Sequence, residues 1–372
     1  MNHVLIFELD PRRHLTEQHL MEMAAGFGII WNSSVLAFLH SSKINVPEYV
    51  IPLILQCLII PFLLNPTKTF HHEARFWLLR ALRRIVLAPF FDVRFVDSWI
   101  ADQLSSLDLV LRDFHYLVCF YVTSDFMGTG RENATSSEHC RVLTWLWLEA
   151  LVSCLPAWFR FAQCIRRYLD TRQAFPHLVN AAKYSTTFVK VIFATLSAAY
   201  SDGESYHPFF YIYLFSAALS SCFTFVWDVK MDWGLFTTAS ATNRNVYLRD
   251  ELVYPSSAFY YFAVFENLIL RFSWDWQRVL TDFFQPGDFK ELFVTLFALL
   301  EIVHRFIWNF LRLEVEHIKN CNNLSAVRDI PVVATEKDLK LHPVVLKIND
   351  LLLYIQYFKP WPKRQTYLVN KR

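Results

Sequence analysis

Apolar positions in this chain fall in long runs rather than in strand-like alternation. Eight runs approach the roughly 20 residues that a helix needs to cross a bilayer: 20–39, 48–65, 104–123, 143–164, 178–200, 207–227, 257–280 and 291–312. They predict an all-α, polytopic helical membrane protein with about eight spans. The segment "EARFWLLRALRRIVLAPF" (73–90) breaks the pattern. Its Phe76, Trp77, Leu79, Leu82 and Val86 alternate with Arg75, Arg80, Arg83 and Arg84 at near-helical spacing. That predicts an amphipathic helix in the membrane interface, its basic face on anionic lipid. No internal repeat and no Pro/Gly linker divides the chain.

Composition agrees with a membrane solvent. The 372 residues are 54% hydrophobic and 17% aromatic, with a mean hydropathy of +0.24. Charged residues make up 19%, against about a quarter in soluble domains. A net charge of +2 gives no basic face for nucleic acid. The polar start "MNHVLIFELDPRRHLTEQ" is not a signal peptide, so the chain is expected to enter the membrane through its own first span. Seven cysteines, without a CxxC spacing, suggest neither a zinc site nor a disulfide framework, and Cys57, Cys119, Cys154, Cys164 and Cys222 read as small hydrophobes.

Charge asymmetry sets the expected orientation. The connectors "SSKINVP", "SDGESY" and "FFQPGDF" and the loop 124–141 fall on one side. Residues 66–98, "RRYLDTRQ" (166–173), the 229–254 loop and the tail from Leu313 fall on the other, with most of the Lys and Arg. The positive-inside rule makes that second side cytoplasmic, with both termini there. Asn133-Ala134-Thr135 is a glycan acceptor sequon in the opposite loop; Asn32-Ser33-Ser34 lies inside a span and is expected to be unused.

The last six runs carry many charges and the first two almost none. A charge at mid-bilayer costs roughly 2.5–3.5 kcal/mol on insertion scales, and such residues usually pair or line a pathway. Asp102, Asp108, Arg112 and Asp113 belong to the third run, Glu149 and Arg160 to the fourth, and Lys183 and Lys190 to the fifth. Asp228 ends the sixth, in "SSCFTFVWDVKMDWGLF", with Asp232 four residues on. Glu266 and Arg271 lie in the seventh; Glu301, His304 and Arg305 lie in the eighth. Six charge-bearing helices read as the walls of a hydrated cavity. Glu301–Arg305, four apart, is the obvious structural pair, and Asp228 has the bland alternative of a helix-end charge reaching the headgroups. Lys183, Arg271 and Arg305, from three helices, are able to converge on one oxyanion, with Asp102 and Asp228 accepting a proton of hydrogen phosphate. That mixture of signs points to transport of a small anion.

Enzyme classes find little support. Neither GxGxxG nor GxxxxGK[ST] occurs, so no nucleotide engine is visible. HExxH and GxSxG are absent, and His71, His72 and Glu73, being adjacent, do not face one way on a helix. No cofactor and no metal site is expected.

Several longer motifs carry a family resemblance. "NHVLIFELDPR", "NPTKTF", "RFWLLRALRRIVLAPF", "ADQLSSL", "PAWFRFAQCIRRYLDTRQAFPHLVNAAKYSTTF", "VWDVKMDWGLF", "EIVHRFIWNFLRLEVEHIKNC" and "AVRDI" closely resemble the EXS-domain phosphate exporters, in order from Asn2 to about Ile330. The resemblance implies export of inorganic phosphate from the cytosol through a six-helix C-terminal bundle. It implies phosphate contacts at Asp102, Lys183, Tyr184, Asp228, Arg271 and Arg305, with Trp274 as a gate. Asp108, Arg160, Asp232, Glu266 and His304 are possible pathway or supporting residues. The family's basic residue before Arg305 is here His304, a family Arg is here Gln173, and a usual Ser is Asp108; each change lowers positive charge near the path.

The domain expectation is two N-terminal spans plus the amphipathic helix over 1–98, an EXS-type transport domain over 99–330, and a cytoplasmic tail over 331–372. In the family, "NHVLIFELD" follows an SPX sensor domain and two further helices, so this chain is expected to lack that control and the dimer contact made through those helices. The partners expected are inorganic phosphate and membrane lipid, with no nucleic acid and the oligomeric state open. Two alternatives stand beside export: an EXS-only protein of the secretory pathway, recycling Golgi phosphate and supporting retention of glycosylation enzymes, and a non-transporting scaffold or receptor remnant. Both plasma membrane and Golgi remain open as locations.

Overall fold

The computed structural model describes residues 17–69, 71–123, 143–200, 207–236, 247–249, 251–273 and 290–321. The loop 124–141 with Asn133, the connectors "SDGESY" and "FFQPGDF", and the tail 331–372 lie outside the described residues. Ten helices order the rest: α1 Glu17–Leu39, α2 Val50–Leu64, α3 His72–Val86, α4 Phe95–Leu104, α5 Asp108–Thr123, α6 Leu143–Thr171, α7 Ala174–Ala199, α8 Pro208–Trp227, α9 Ser257–Arg271 and α10 Lys290–Cys321. A single turn at Ser41–Ile44 links α1 to α2, and a 3₁₀ turn at Ser105–Leu107 joins α4 to α5.

The solvent for which this fold is built can be read from its surface. Met21, Ile29, Leu39, Phe215, Ile302 and Phe306 each leave more than three-fifths of their surface exposed. In water such a surface would aggregate; in lipid it is the ordinary exterior of a multi-pass protein. Three segments, Gln18–Leu39, Pro208–Asp232 and Leu292–Ile318, are long and apolar enough to cross a membrane by length and composition, and Val50–Leu64 is a shorter apolar helix. Helices α6 and α7 have 29 and 26 residues but carry charges that the fold turns inward, among them the buried Arg160 and Lys183.

Helices α6, α7 and α8 form the most closely packed group, and small residues let them approach: Ala157 and Cys164 of α6 meet Ala181 and Tyr184 of α7, with Phe161 and Phe188 filling in. This is the small-residue packing that apolar solvent favours, since lipid supplies no hydrophobic drive between helices.

Helix ends differ from the apolar runs. The segment 166–173 was expected as a connector, yet α6 continues to Thr171. Arg166 donates to Asp170 one turn on, at 3.1 Å, and to Asp92 at 3.0 Å, so polar pairs carry the helix past its apolar part. The same holds for α10, where Arg312 meets Glu316 at 3.4 Å.

The described parts of the expected 229–254 loop, residues 229–236, 247–249 and 251–254, are also structured. The loop opens with a π turn at Asp228–Asp232, and Trp233, Leu235 and Leu248 bury completely or nearly so against Tyr260, Trp308 and Leu311. The carboxylate of Glu314, 1% exposed, ties this strap to α10. It accepts from Arg249 at 2.7 Å, from the Val253 amide at 2.7 Å and from the Tyr260 hydroxyl. Cys119 is disulfide-bonded, correcting its reading as a small hydrophobe; spacing along the chain does not reveal which thiols the fold brings together.

Helix α3 is amphipathic, but not all of its arginines face outward. Ala81 and Ile85 pack on Val96, Ile100 and Ala101 of α4. Arg84 grips Asp97 with contacts of 2.6–3.0 Å. Arg75, 7% exposed, donates to the carbonyls of Phe62, Asn65, Thr67 and Thr69 at 2.6–3.3 Å. It thereby satisfies backbone acceptors that the end of α2 and its following turn would leave orphaned. Arg75→Ala is expected to lower stability in detergent by about 3 kcal/mol, the scale for stranding buried acceptors. A thermal melt of the purified variant checks this, and an unchanged midpoint would count against the anchor.

Candidate functional site

The inward charges assemble where α4, α6, α7, the π turn, α9 and α10 meet. Asp102 sits at the end of α4, 8% exposed. Arg160 of α6 approaches it at 2.7 Å, and the Tyr184 hydroxyl donates to the same Oδ1 at 3.2 Å. Arg160 also donates to the Tyr184 oxygen at 3.2 Å and to Gln163 Oε1 at 2.5 Å. Gln163 is held in turn by the carbonyl of Asp97 at 3.1 Å. The triad is fully engaged, so its geometry is set before any solute arrives.

Asp228 and Arg271 form the second pair. Asp228, 2% exposed, is carried by the π turn, whose wider winding is closed by the Trp233 amide on the Asp228 carbonyl at 2.8 Å. Such turns are rare and recur at functional sites. The guanidinium of Arg271 donates to Asp228 Oδ2 from Nη2 at 2.6 Å and from Nε at 3.0 Å. Asn267, completely buried one turn back on α9, accepts from the same Nε at 3.2 Å. The Ser221 hydroxyl bonds the Arg271 carbonyl at 2.8 Å, fixing the end of α9 to α8.

Lys183 differs from these cations. It is 5% exposed, and its ammonium lies 4.4 Å from the ring centre of Tyr184 and 5.4 Å from that of Trp227. Asp228, Asp232 and Asp102 lie near enough to act on it electrostatically, yet it makes no salt bridge among the described residues. Aromatic faces offer a desolvated ammonium about 2 kcal/mol, well short of the several kcal/mol that burying it costs. Its charge is thus left without a direct counter-ion.

Arg305 of α10 faces the α4–α5 junction. It donates to Ser106 at 2.7 Å and Ser105 at 3.4 Å, and it meets Glu301 at 3.7 Å. Ser106 donates to Glu301 at 2.7 Å, which joins the expected Glu301–Arg305 pair to the 3₁₀ turn between α4 and α5. Between this group and Arg271 stands His304, 1% exposed, with Nδ1 3.2 Å from both oxygens of Glu266.

The structure therefore brings together Asp102, Arg160, Lys183, Tyr184, Asp228 and Arg271, with Asp232 beside Lys183 and the His304, Glu266 and Arg305 group adjoining. Trp274 lies outside the described residues. Asp108 stands apart: it pairs with Arg112 of its own helix at 3.4 Å, both half-exposed. A cavity of 230 Å³ lined by Leu109, Arg112, Asp113, His115, Tyr116 and Glu149 shares none of the cluster's residues. Gln163, Trp227 and the Trp99–Gln103–Asn309 bonds between α4 and α10, at 2.8–3.0 Å, were not foreseen. The only hint of Gln163 was its position three residues after Arg160.

An exposed apolar exterior around a charged interior defines a multi-pass integral membrane protein with a polar interior site. The sequence profile of the EXS family matches residues 1–318, and the chain belongs to that family. It is 47% identical to human Solute carrier family 53 member 1 over 344 residues, which are 91% of this chain and 49% of the human protein. The mouse protein of that name gives the same figures. The zebrafish (Danio rerio) Xenotropic and polytropic retrovirus receptor 1 homolog is 45% identical over 340 residues, again 91% of this chain and 49% of its own. The chain thus spans about half the length of the curated relatives it matches.

Proposed function

We propose that this protein carries inorganic phosphate across the membrane, out of the cytosol, along a path through the α4–α10 cluster. The observation that carries this reading is Lys183, a buried ammonium without a direct counter-ion, flanked by arginines already held in place. A tetrahedral oxyanion supplies what that lysine lacks, and charge-assisted hydrogen bonds are the strong ones. Relatives named as solute carriers support transport over catalysis. The motifs around Asp102, Lys183, Tyr184, Asp228, Arg271, Trp274 and Arg305 support phosphate as the solute. On this reading residues 99–330 form the transport domain, both termini face the cytosol, and Asp228 with Asp232 shapes the cytosolic entrance.

The direction follows from the charge moved. A cytosol at negative potential expels anions, at about 2.3 kcal/mol per charge per 100 mV, so export needs no bound cofactor. Because Asp102 and Asp228 are both gripped by arginines, positive charge is offered to a solute through Lys183 and the arginine faces turned away from their partners.

Cells lacking their own exporter provide the test. Expression of this 372-residue chain is expected to restore efflux of radiolabelled phosphate, and the Lys183→Ala, Arg271→Ala double variant to lose it. Equal efflux from both, at equal surface amount, would refute the pathway.

A further inference from the structure

We infer that His304 acts as a neutral hydrogen-bond acceptor that selects an oxyanion still carrying a proton, hydrogen phosphate or its arsenate analogue, over one that carries none, such as sulfate. This rests on the transport reading above and names what the same site discriminates.

The geometry begins with Glu266. With Glu266 ionised its oxygens only accept, and the two 3.2 Å contacts at His304 Nδ1 then place the ring proton on Nδ1. The other nitrogen, Nε2, is then a bare lone pair. It is buried and has no hydrogen-bond partner among the described residues, in a side chain 1% exposed. A buried unsatisfied acceptor is costly and calls for a physical account. Its burial does not separate it from the pathway, because Lys183, Asp228 and Arg160 are all closed off to a similar degree in this conformation.

The surroundings say what would satisfy it. The charged groups acting on the ring, besides Glu266 of α9, are Arg271 of α9 and Arg305 of α10. A partner must therefore be negative enough to sit between two guanidiniums and still offer a proton to Nε2. A protonated oxyanion meets both demands. The carboxylates expected to take that proton are each engaged through one oxygen by a cation: Asp102 Oδ1 accepts from Tyr184 against Arg160, and Asp228 Oδ2 accepts twice from Arg271. Asp232 stands near Lys183 and, once ionised, repels an anion that its oxygen would accept from. His304 supplies an acceptor without that repulsion. An arginine at this position would be a donor only and would not distinguish the two classes of anion, whereas a site built to pair a solute's hydroxyl rejects the analogue without one.

Proteoliposomes holding the full chain and loaded with both labelled phosphate and labelled sulfate test this, read as the ratio of initial efflux rates. The wild type is expected to favour phosphate. His304→Leu and His304→Arg are expected to lower the ratio at least about tenfold, the worth of one hydrogen bond to an ion. Glu266→Leu, which removes the acceptor that holds the ring proton on Nδ1, is expected to lower it in the same direction and decides the matter if the His304 variants do not reach the bilayer. A wild type that passes sulfate as readily as phosphate, or variants with an unaltered ratio, would overturn the inference while leaving phosphate transport standing. A wild type that passes neither anion would remove the transport reading and this one with it.

Discussion

Replacing Lys183 with alanine is expected to cut phosphate efflux about 100-fold while leaving the protein folded and in the membrane. The flux estimate takes the 2–5 kcal/mol lost when a buried charge partner is truncated. The stability expectation differs. Lys183 makes no direct salt bridge among the described residues, while Asp228, Asp232 and Asp102 act on it from further off; its removal trades a desolvation cost against those attractions, and the melting temperature in detergent should change little. A lysine serving only the fold would show the opposite pairing, with lost stability and preserved flux per molecule. Lys183→Arg is not expected to restore efflux. The slot between Tyr184 and Trp227, with ring centres at 4.4 and 5.4 Å, suits a compact ammonium, and the planar guanidinium is a different shape. Efflux assays and thermal melts on the same two variants check both halves.

The second large effect lies at Arg160. Arg160→Ala leaves Asp102 as a buried carboxylate whose remaining partner is the Tyr184 hydroxyl, and breaking a buried pair in this way costs about 3–5 kcal/mol. The protein is expected to lose much of its folded fraction. Adding Asp102→Ala should recover most of that loss, since the stranded charge is gone, yet transport should stay low because Tyr184 has lost both groups that hold its hydroxyl. The double-mutant cycle on stability measures the coupling directly. A double variant no more stable than Arg160→Ala would mean that Arg160 acts mainly through packing and not through Asp102.

Much of this was legible in the residues because membrane solvent simplifies the signal. A charge within an apolar run is conspicuous, and Asp102, Arg160, Lys183, Asp228, Arg271 and Arg305 stood out for that reason. Their partners followed less well. Asn267, Gln163, Trp227 and Asn309 are neutral or aromatic and look like ordinary lining until the helices are set side by side. Local pairing also hid itself: Asp108 resembled a pathway residue and proves to meet Arg112 on its own helix. The π turn at Asp228 was invisible because a change of winding leaves no mark in hydropathy; the sequence suggested two carboxylates on one α-helical face. The helix ends were misplaced for a related reason. Apolar runs report where lipid ends, whereas α6 and α10 run on through Arg166–Asp170 and Arg312–Glu316. The Cys119 disulfide was missed because pairing depends on three-dimensional proximity, which spacing does not encode.

The central claim is that a buried ammonium with no direct salt bridge among the described residues receives phosphate. Its most direct test is phosphate flux through the purified full chain in liposomes, wild type against Lys183→Ala, with orientation and protein amount matched. The account predicts phosphate release from wild-type vesicles and release near the empty-vesicle rate from the variant. Wild-type release matched by Lys183→Ala would contradict it and would move the site away from Lys183.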